Sequence, residues 1–90
     1  MPHAYLLRCR DGSLYAGAAV DLAKRLREHQ AGRASRYTRS RLPVELVWSC
    51  EVESWSAALV EEARIKSLSR SAKELLVASA PSRPADPAAD

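Results

Sequence analysis

What this chain lacks narrows it before any motif is considered. None of its 90 residues lie in an apolar run approaching the roughly 20 that a membrane span needs, so a membrane is not expected as a partner. The opening MPHAYLLRCR has neither the basic-then-apolar order nor the small-residue cleavage site of a secretory signal. The expectation is that it belongs to the fold and that the protein is cytoplasmic. Only two cysteines occur, Cys9 and Cys50, without CxxC spacing and without a nearby histidine pair, which argues against a zinc site and for buried free thiols. No internal repeat is present, and a chain this short allows one domain with one thin core.

What is present is a globular balance, 47% hydrophobic and 28% charged, with a formal net charge of +3. The distribution of charge says more than its sum. Segment 24–41 holds Lys24, Arg25, Arg27, Arg33, Arg36, Arg39 and Arg41 against Glu28 alone, which is half of the 14 basic residues in a fifth of the chain. Segment 45–62 carries Glu45, Glu51, Glu53, Glu61 and Glu62 and no Lys or Arg. One side of the molecule is therefore basic. Because the planar guanidinium fork matches phosphate, nucleic acid is the first partner to consider, with a merely solubilising surface as the plain alternative.

The secondary structure follows from short-range signals. Apolar and β-prone residues fill 4–10, and Asp11-Gly12 is the pairing that a two-residue type I′ hairpin turn prefers. Segment 13–18 supplies the return strand. With regular register, residue 5 then faces 18 and residue 8 faces 15. Asp21 is an N-cap for a helix over 22–31 that Gly32 closes, followed by a basic loop with room for a helical turn. Alternation of Val44, Leu46, Trp48, Cys50 and Val52 predicts a third strand over 44–52. Ser54 or Ser56 caps a helix carrying Ala58, Leu59, Ile65 and Leu68, and Ser71 with Glu74 fits a capping box for a last helix through Val77. The Pro/Ala/Asp-rich segment 80–90 is expected to be a disordered tail outside a domain of residues 1–79. The order ββαβαα implies an α/β fold of the α+β type: a small three-stranded antiparallel sheet flanked by helices.

Several side chains fall where packing alone would not place them. Arg25 and His29 are one helical turn apart beside the Leu22/Leu26 stripe. Glu62, four residues after Ala58 and three before Ile65, emerges among apolar neighbours, where a carboxylate needs an arginine or a hard cation such as Mg²⁺; Glu61 is a weaker candidate. Tyr5 and Tyr15 flank the turn. Singly these read as core-edge packing, although a phenol with a pKa of about 10 can act as a base beside a cation.

Taken together, the chain resembles the GIY-YIG nuclease family, specifically its small single-domain bacterial members. HAY at residues 3–5 stands where the family's first triplet stands, YAG at residues 15–17 where its second stands, DLAKRLREHQAG carries Arg25 and His29, and ALVEEARIKSL carries Glu62. The resemblance implies a metal-dependent endonuclease, a phosphodiesterase acting on DNA with low sequence specificity, selective for structure and suited to DNA repair. It implies Tyr5 as general base with Tyr15 assisting or positioning the phosphate, Arg25 stabilising charge on the phosphate, His29 handling a proton at Tyr5 or the nucleophile, and Glu62 binding one Mg²⁺ or Mn²⁺ ion. Gly17 gives room at the site and Gly12 serves the turn, while Lys24, Arg33, Arg36, Arg39 and Arg41 would hold nucleic acid, DNA first and RNA second. Two departures stand out. The chain has no asparagine, so Ser67 or Ser71 would replace a polar residue that the family often places near the site. It also has no separate DNA-binding domain, which points to weak binding or recruitment by a protein partner. The alternative is a non-catalytic nucleic-acid-binding or adaptor module on the same fold. A protein-interaction domain using a Trp48/Trp55 surface ranks third.

Overall fold

The computed structural model describes residues 1–79; the expected tail, 80–90, lies outside them. Three strands, β1 (His3–Arg8), β2 (Leu14–Ala19) and β3 (Glu45–Glu51), form one antiparallel sheet in the order β2-β1-β3. Between β2 and β3 lie α1 (Leu22–Gln30) and the short α2 (Arg36–Arg39); α3 (Trp55–Lys66) and α4 (Arg70–Ala78) follow. The ββαβαα order expected from the sequence is the observed one, with α2 as the turn of helix that the basic loop had room for.

The hairpin differs from the expected one by a single residue. Gly12 N–H donates to the Cys9 carbonyl (2.9 Å) and Cys9 N–H to the Ser13 carbonyl (2.8 Å), so the loop is Arg10-Asp11-Gly12. Only Gly12 has positive φ, at 87°, as a three-residue loop requires and a type I′ turn does not. The Asp11 carboxylate accepts from Ser13 N–H (3.0 Å) and Ser13 O–H (2.6 Å), and these bonds hold its pKa below the usual range. Tyr5 therefore faces Gly17 and Leu7 faces Tyr15. Since a one-residue slip moves a whole strand's side chains to the other face, the expected pairing of 5 with 18 would have put the two tyrosines on opposite faces; the observed pairing puts them on one.

Helices lie against both faces, so the core is two clusters and not the single one expected. Ala4, Leu6, Ala16, Trp48 and Ile65 pack on the face that α3 and α4 cover; Tyr5, Leu7, Cys9, Ala19 and Val44 pack with Leu22 and Leu26 of α1 on the other. The central strand β1 consequently buries residues 4–7 without a polar alternate. The unbroken alternation expected for β3 is also corrected. A bulge opposite Leu6/Leu7 lets Trp48 face Leu6 while Leu46 faces Leu7, which divides β3 between the two clusters.

Local caps explain the helix starts. The carboxylate of Asp21 accepts from Lys24 N–H (3.1 Å), and the hydroxyl of Ser54, not Ser56, accepts from Ala57 N–H (3.1 Å). The last helix starts at Ser69, whose hydroxyl accepts from Ala72 N–H (3.2 Å), so the expected capping box of Ser71 and Glu74 is not formed. Glu74 instead receives two bonds from Arg8 (2.9 and 2.7 Å) and one from Arg70 (3.0 Å), tying α4 to the end of β1. Both cysteines are free thiols, Cys9 buried as expected and Cys50 only partly buried. Among the described residues no helix is long and apolar enough to cross a membrane.

Candidate active site

The face of the sheet that carries both tyrosines meets α1 and α2. Tyr5 is 2% exposed and its hydroxyl lies 2.8 Å from Nε2 of His29, which is fully buried. The other imidazole nitrogen, Nδ1, lies 2.9 Å from the hydroxyl of Thr38, also fully buried, and that hydroxyl reaches the Ser35 carbonyl at 3.4 Å. Burial, reinforced by the Arg25 guanidinium, holds the His29 pKa below 6.5, so the imidazole is neutral at neutral pH. One assignment of protons satisfies every group: Tyr5 O–H donates to Nε2, Nδ1–H donates to Thr38, and the Thr38 hydroxyl donates to the Ser35 carbonyl. Burial pushes the Tyr5 phenol up to about 12, with Arg25 opposing part of the rise.

Gly17 is the reason this ring fits. A Cβ there would lie 2.5 Å from both Cζ and the hydroxyl oxygen of Tyr5, well inside van der Waals contact. The room expected at Gly17 is thus occupied by the tyrosine ring across the strand pair.

Tyr15 packs edge-on against His29 with centroids 5.5 Å apart and stacks on Tyr37 at 5.7 Å. Arg41 lies over the Tyr37 ring, 3.9 Å from its centroid, and donates to Asp11 at 3.0 Å. Of the basic residues expected to hold nucleic acid, Arg41 is therefore engaged internally, bracing the hairpin loop against α2, while Arg33, Arg36 and Arg39 are exposed and Lys24 lies in a cleft described next.

That cleft, about 670 Å³, opens along the β2 edge between α1 and α3, with Arg25, Lys24 and Glu28 on one side and Glu62, Trp55 and Leu59 on the other. Arg25 donates to Glu28 at 3.1 Å, and its Nε is buried without a hydrogen-bond partner. Glu62 has a cationic partner, as its apolar setting requires, but a lysine and not the arginine expected as one of the two possibilities. Its carboxylate, on a side chain 19% exposed, meets the Lys66 ammonium at 3.0 Å one turn along α3. Glu61 forms a two-pronged bond to Arg64 (2.9 and 2.8 Å) and does not line the cleft.

Among the described residues no group of three or more His, Cys, Asp or Glu converges, which rules out a cage built wholly from protein. On the α3 wall Glu62 is the one carboxylate of the cleft lining, with Glu28 and Asp21 opposite, and a lone carboxylate of this kind is compatible with a hard divalent cation that keeps several waters and takes substrate phosphate oxygens. Neither proposed replacement for the absent asparagine lines this cleft: Ser67 donates back to the Arg64 carbonyl (2.7 Å), and Ser71 sits by Ser69 on α4.

The tyrosine face thus assembles Tyr5, Tyr15, His29 and Arg25 around one point, and Glu62 faces Arg25 across the cleft. Thr38, Tyr37 and Lys66 escaped the sequence reading. The first two lie in a segment whose arginines masked the ST-capped turn beginning at Ser35, whereas Lys66 was legible as the residue four after Glu62.

Residues 1–75 match the sequence model of the GIY-YIG catalytic domain. A UPF0213 protein of Natronomonas pharaonis is 49% identical over 76 residues, covering 84% of this chain and 89% of the relative. One from Vibrio cholerae is 49% identical over 75 residues, covering 82% of this chain and 74% of the relative. The solution NMR structure of a UPF0213 protein from Bacillus halodurans is 39% identical and superposes with a TM-score of 0.56, covering 87% of this chain and 84% of that one.

Proposed function

The chain belongs to the GIY-YIG family, and from that premise we propose that it is a divalent-metal-dependent endonuclease hydrolysing phosphodiester bonds in DNA with little sequence preference. The observation that carries the reading is the buried Tyr5–His29 pair at 2.8 Å with the Arg25 guanidinium beside it. A phenol needs help to act as a base at neutral pH. A neutral imidazole already bonded to it, and held in one tautomer by Thr38, supplies that help.

In this scheme His29 Nε2 takes the phenolic proton as Tyr5 takes one from the attacking water, whose oxygen bonds to phosphorus as the leaving P–O bond breaks. The shared proton lets a phenol pushed up to about 12 in the resting protein serve as base, because free phenolate never has to accumulate. Arg25, on the lining of the cleft, would face the substrate phosphate and offer its guanidinium to the developing oxyanion. Tyr15, fixed between His29 and Tyr37, positions the phosphate. Glu62 would hold Mg²⁺ or Mn²⁺ with Lys66 released from its carboxylate, and the chemistry such an ion would supply there is neutralisation of charge on the phosphate and the leaving oxygen.

The Glu62–Lys66 pair is also the observation that favours a second reading, a non-catalytic nucleic-acid-binding module whose metal ligand is permanently occupied. Cleavage assays separate the two. Plasmid, single-stranded and branched DNA and RNA are incubated with the protein in Mg²⁺, Mn²⁺ or EDTA. The expected result is metal-dependent DNA cleavage that falls about 10²-fold or more in Tyr5→Phe and Glu62→Ala. Absence of cleavage by the parent protein, or undiminished cleavage by both variants, ends the nuclease reading.

A further inference from the structure

The two tryptophans have opposite environments. Trp48 is 9% exposed and belongs to the core, so the Trp48/Trp55 surface considered from sequence does not exist; Trp55 is 44% exposed. It is the first residue of α3, immediately after the Ser54 cap, and no ring of the protein stacks on it among the described residues. Residues 55, 59, 62 and 66 recur at helical spacing, so Trp55, Leu59, Glu62 and Lys66 form one stripe along α3. The first three line the cleft. The opposite lining carries the cations Lys24 and Arg25 together with Asp21, which caps α1, and Glu28, which Arg25 bonds at 3.1 Å, and exposed Val20 adds apolar surface to the same cleft.

The geometry points to Trp55 as a stacking platform for an unpaired nucleobase of a single DNA strand lying in this cleft, so that the protein selects DNA with single-stranded character next to the cut. The nuclease reading enters only in naming the strand as substrate; the binding argument stands on the cleft. A protein partner would be served by apolar surface alone, whereas this cleft sets one exposed aromatic face opposite Lys24, which has no ion pair among the described residues, and Arg25, while the carboxylates of Glu28 and Glu62 are taken up by Arg25 and Lys66; an aromatic face beside cations is the pairing used to hold bases and backbone of single strands. An intact duplex offers no free base face to the indole, because each base is already covered by its neighbours. Seven residues of helix separate Trp55 from Glu62, about 10 Å along the axis, close to three stacked steps at roughly 3.4 Å. The stacked base would lie within about three nucleotides of the phosphate at Glu62, and the cut would fall beside a junction between paired and unpaired DNA.

The test is binding in EDTA, where no cleavage can occur, using a twelve-residue oligothymidylate and a blunt duplex of the same length. Saturable quenching of the exposed tryptophan's fluorescence by the oligothymidylate is expected, absent in Trp55→Phe. Trp55→Ala should bind the single strand roughly tenfold more weakly and lose the preference for it over duplex, whereas Trp55→Phe, which keeps a stacking face, should retain most of both. Circular dichroism checks that each variant is folded. No quenching, or equal oligothymidylate affinity for Trp55→Ala and the parent protein, overturns the proposal even if the protein cuts DNA. Quenching with the expected variant pattern in a protein that cuts nothing would sustain it while the nuclease reading falls.

Discussion

At residue 17 the structure tolerates hydrogen and nothing larger. Gly17→Ala would force the Tyr5 ring away from a Cβ 2.5 Å distant, either breaking the bond to His29 or parting the strands. The expected cost is about 1–3 kcal/mol of stability, read as a lower denaturation midpoint, with a loss of cleavage near 10²-fold because the phenol is displaced from its acceptor. The neighbouring imidazole makes a second measurable claim. The folded-state pKa of His29 lies below 6.5, so on acidification the unfolded chain takes up a proton that the folded one refuses. Stability contributed by neutral His29 is therefore complete above pH 6.5 and declines as pH falls toward the folded value, with a limiting slope of about 1.4 kcal/mol per pH unit. Urea midpoints at pH 7.5 and 5.5 should diverge for the parent protein and less so for His29→Gln. The two tyrosines, Arg25, His29 and Glu62 became site candidates in the sequence through their order and spacing together, since singly the tyrosines, Arg25 and His29 read as packing residues, and Tyr5 does pack in the core. Thr38 was not legible, since a threonine becomes part of a proton path only through a contact nine residues back in the chain.

Among the elements, α4 makes the clearest claim. Its end nearest the hairpin is held by Glu74, which two arginines from different elements engage, Arg8 from β1 and Arg70 from α4 itself, and these bonds pull the Glu74 pKa down to about 2. A carboxylate depressed in this way stabilises the fold above its unfolded value of 4.5, and the benefit disappears as pH falls from there toward 2. Glu74→Gln should remove that acid-sensitive component and raise hydrogen exchange in α4 selectively at neutral pH, while leaving β1–β2 exchange near that of the parent. Element existence and order were readable from capping residues and apolar spacing. Register and face were not: the Asp-Gly signal permits a two- or a three-residue loop, and the bulge in β3 depends on which of two helical layers each side chain meets. Both are decided by packing across chain separations that a local pattern does not contain.

For the whole molecule the asymmetry of charge is the leading feature. Arg36 and Arg39 protrude from α2 without ion pairs among the described residues, whereas Arg41 is committed to Asp11 and Tyr37. If the exposed pair contacts phosphates, replacing both with alanine should reduce the slope of log affinity against log salt by about 2, measured by titration at several ionic strengths; replacing Arg41 should instead disturb the hairpin loop and lower the melting temperature. The other molecular feature is the sheet lying between two clusters. Arg25 rides on the helix anchored by Leu22 and Leu26 in one cluster, and Glu62 on the helix anchored by Ile65 in the other. The cleft between them is in effect a caliper whose jaws are mounted on separate cores. A substrate phosphate gripped by both jaws would clamp the two halves of the protein together, so that occupancy of the cleft would be felt as added cooperativity of unfolding and not only as protection of the residues it touches.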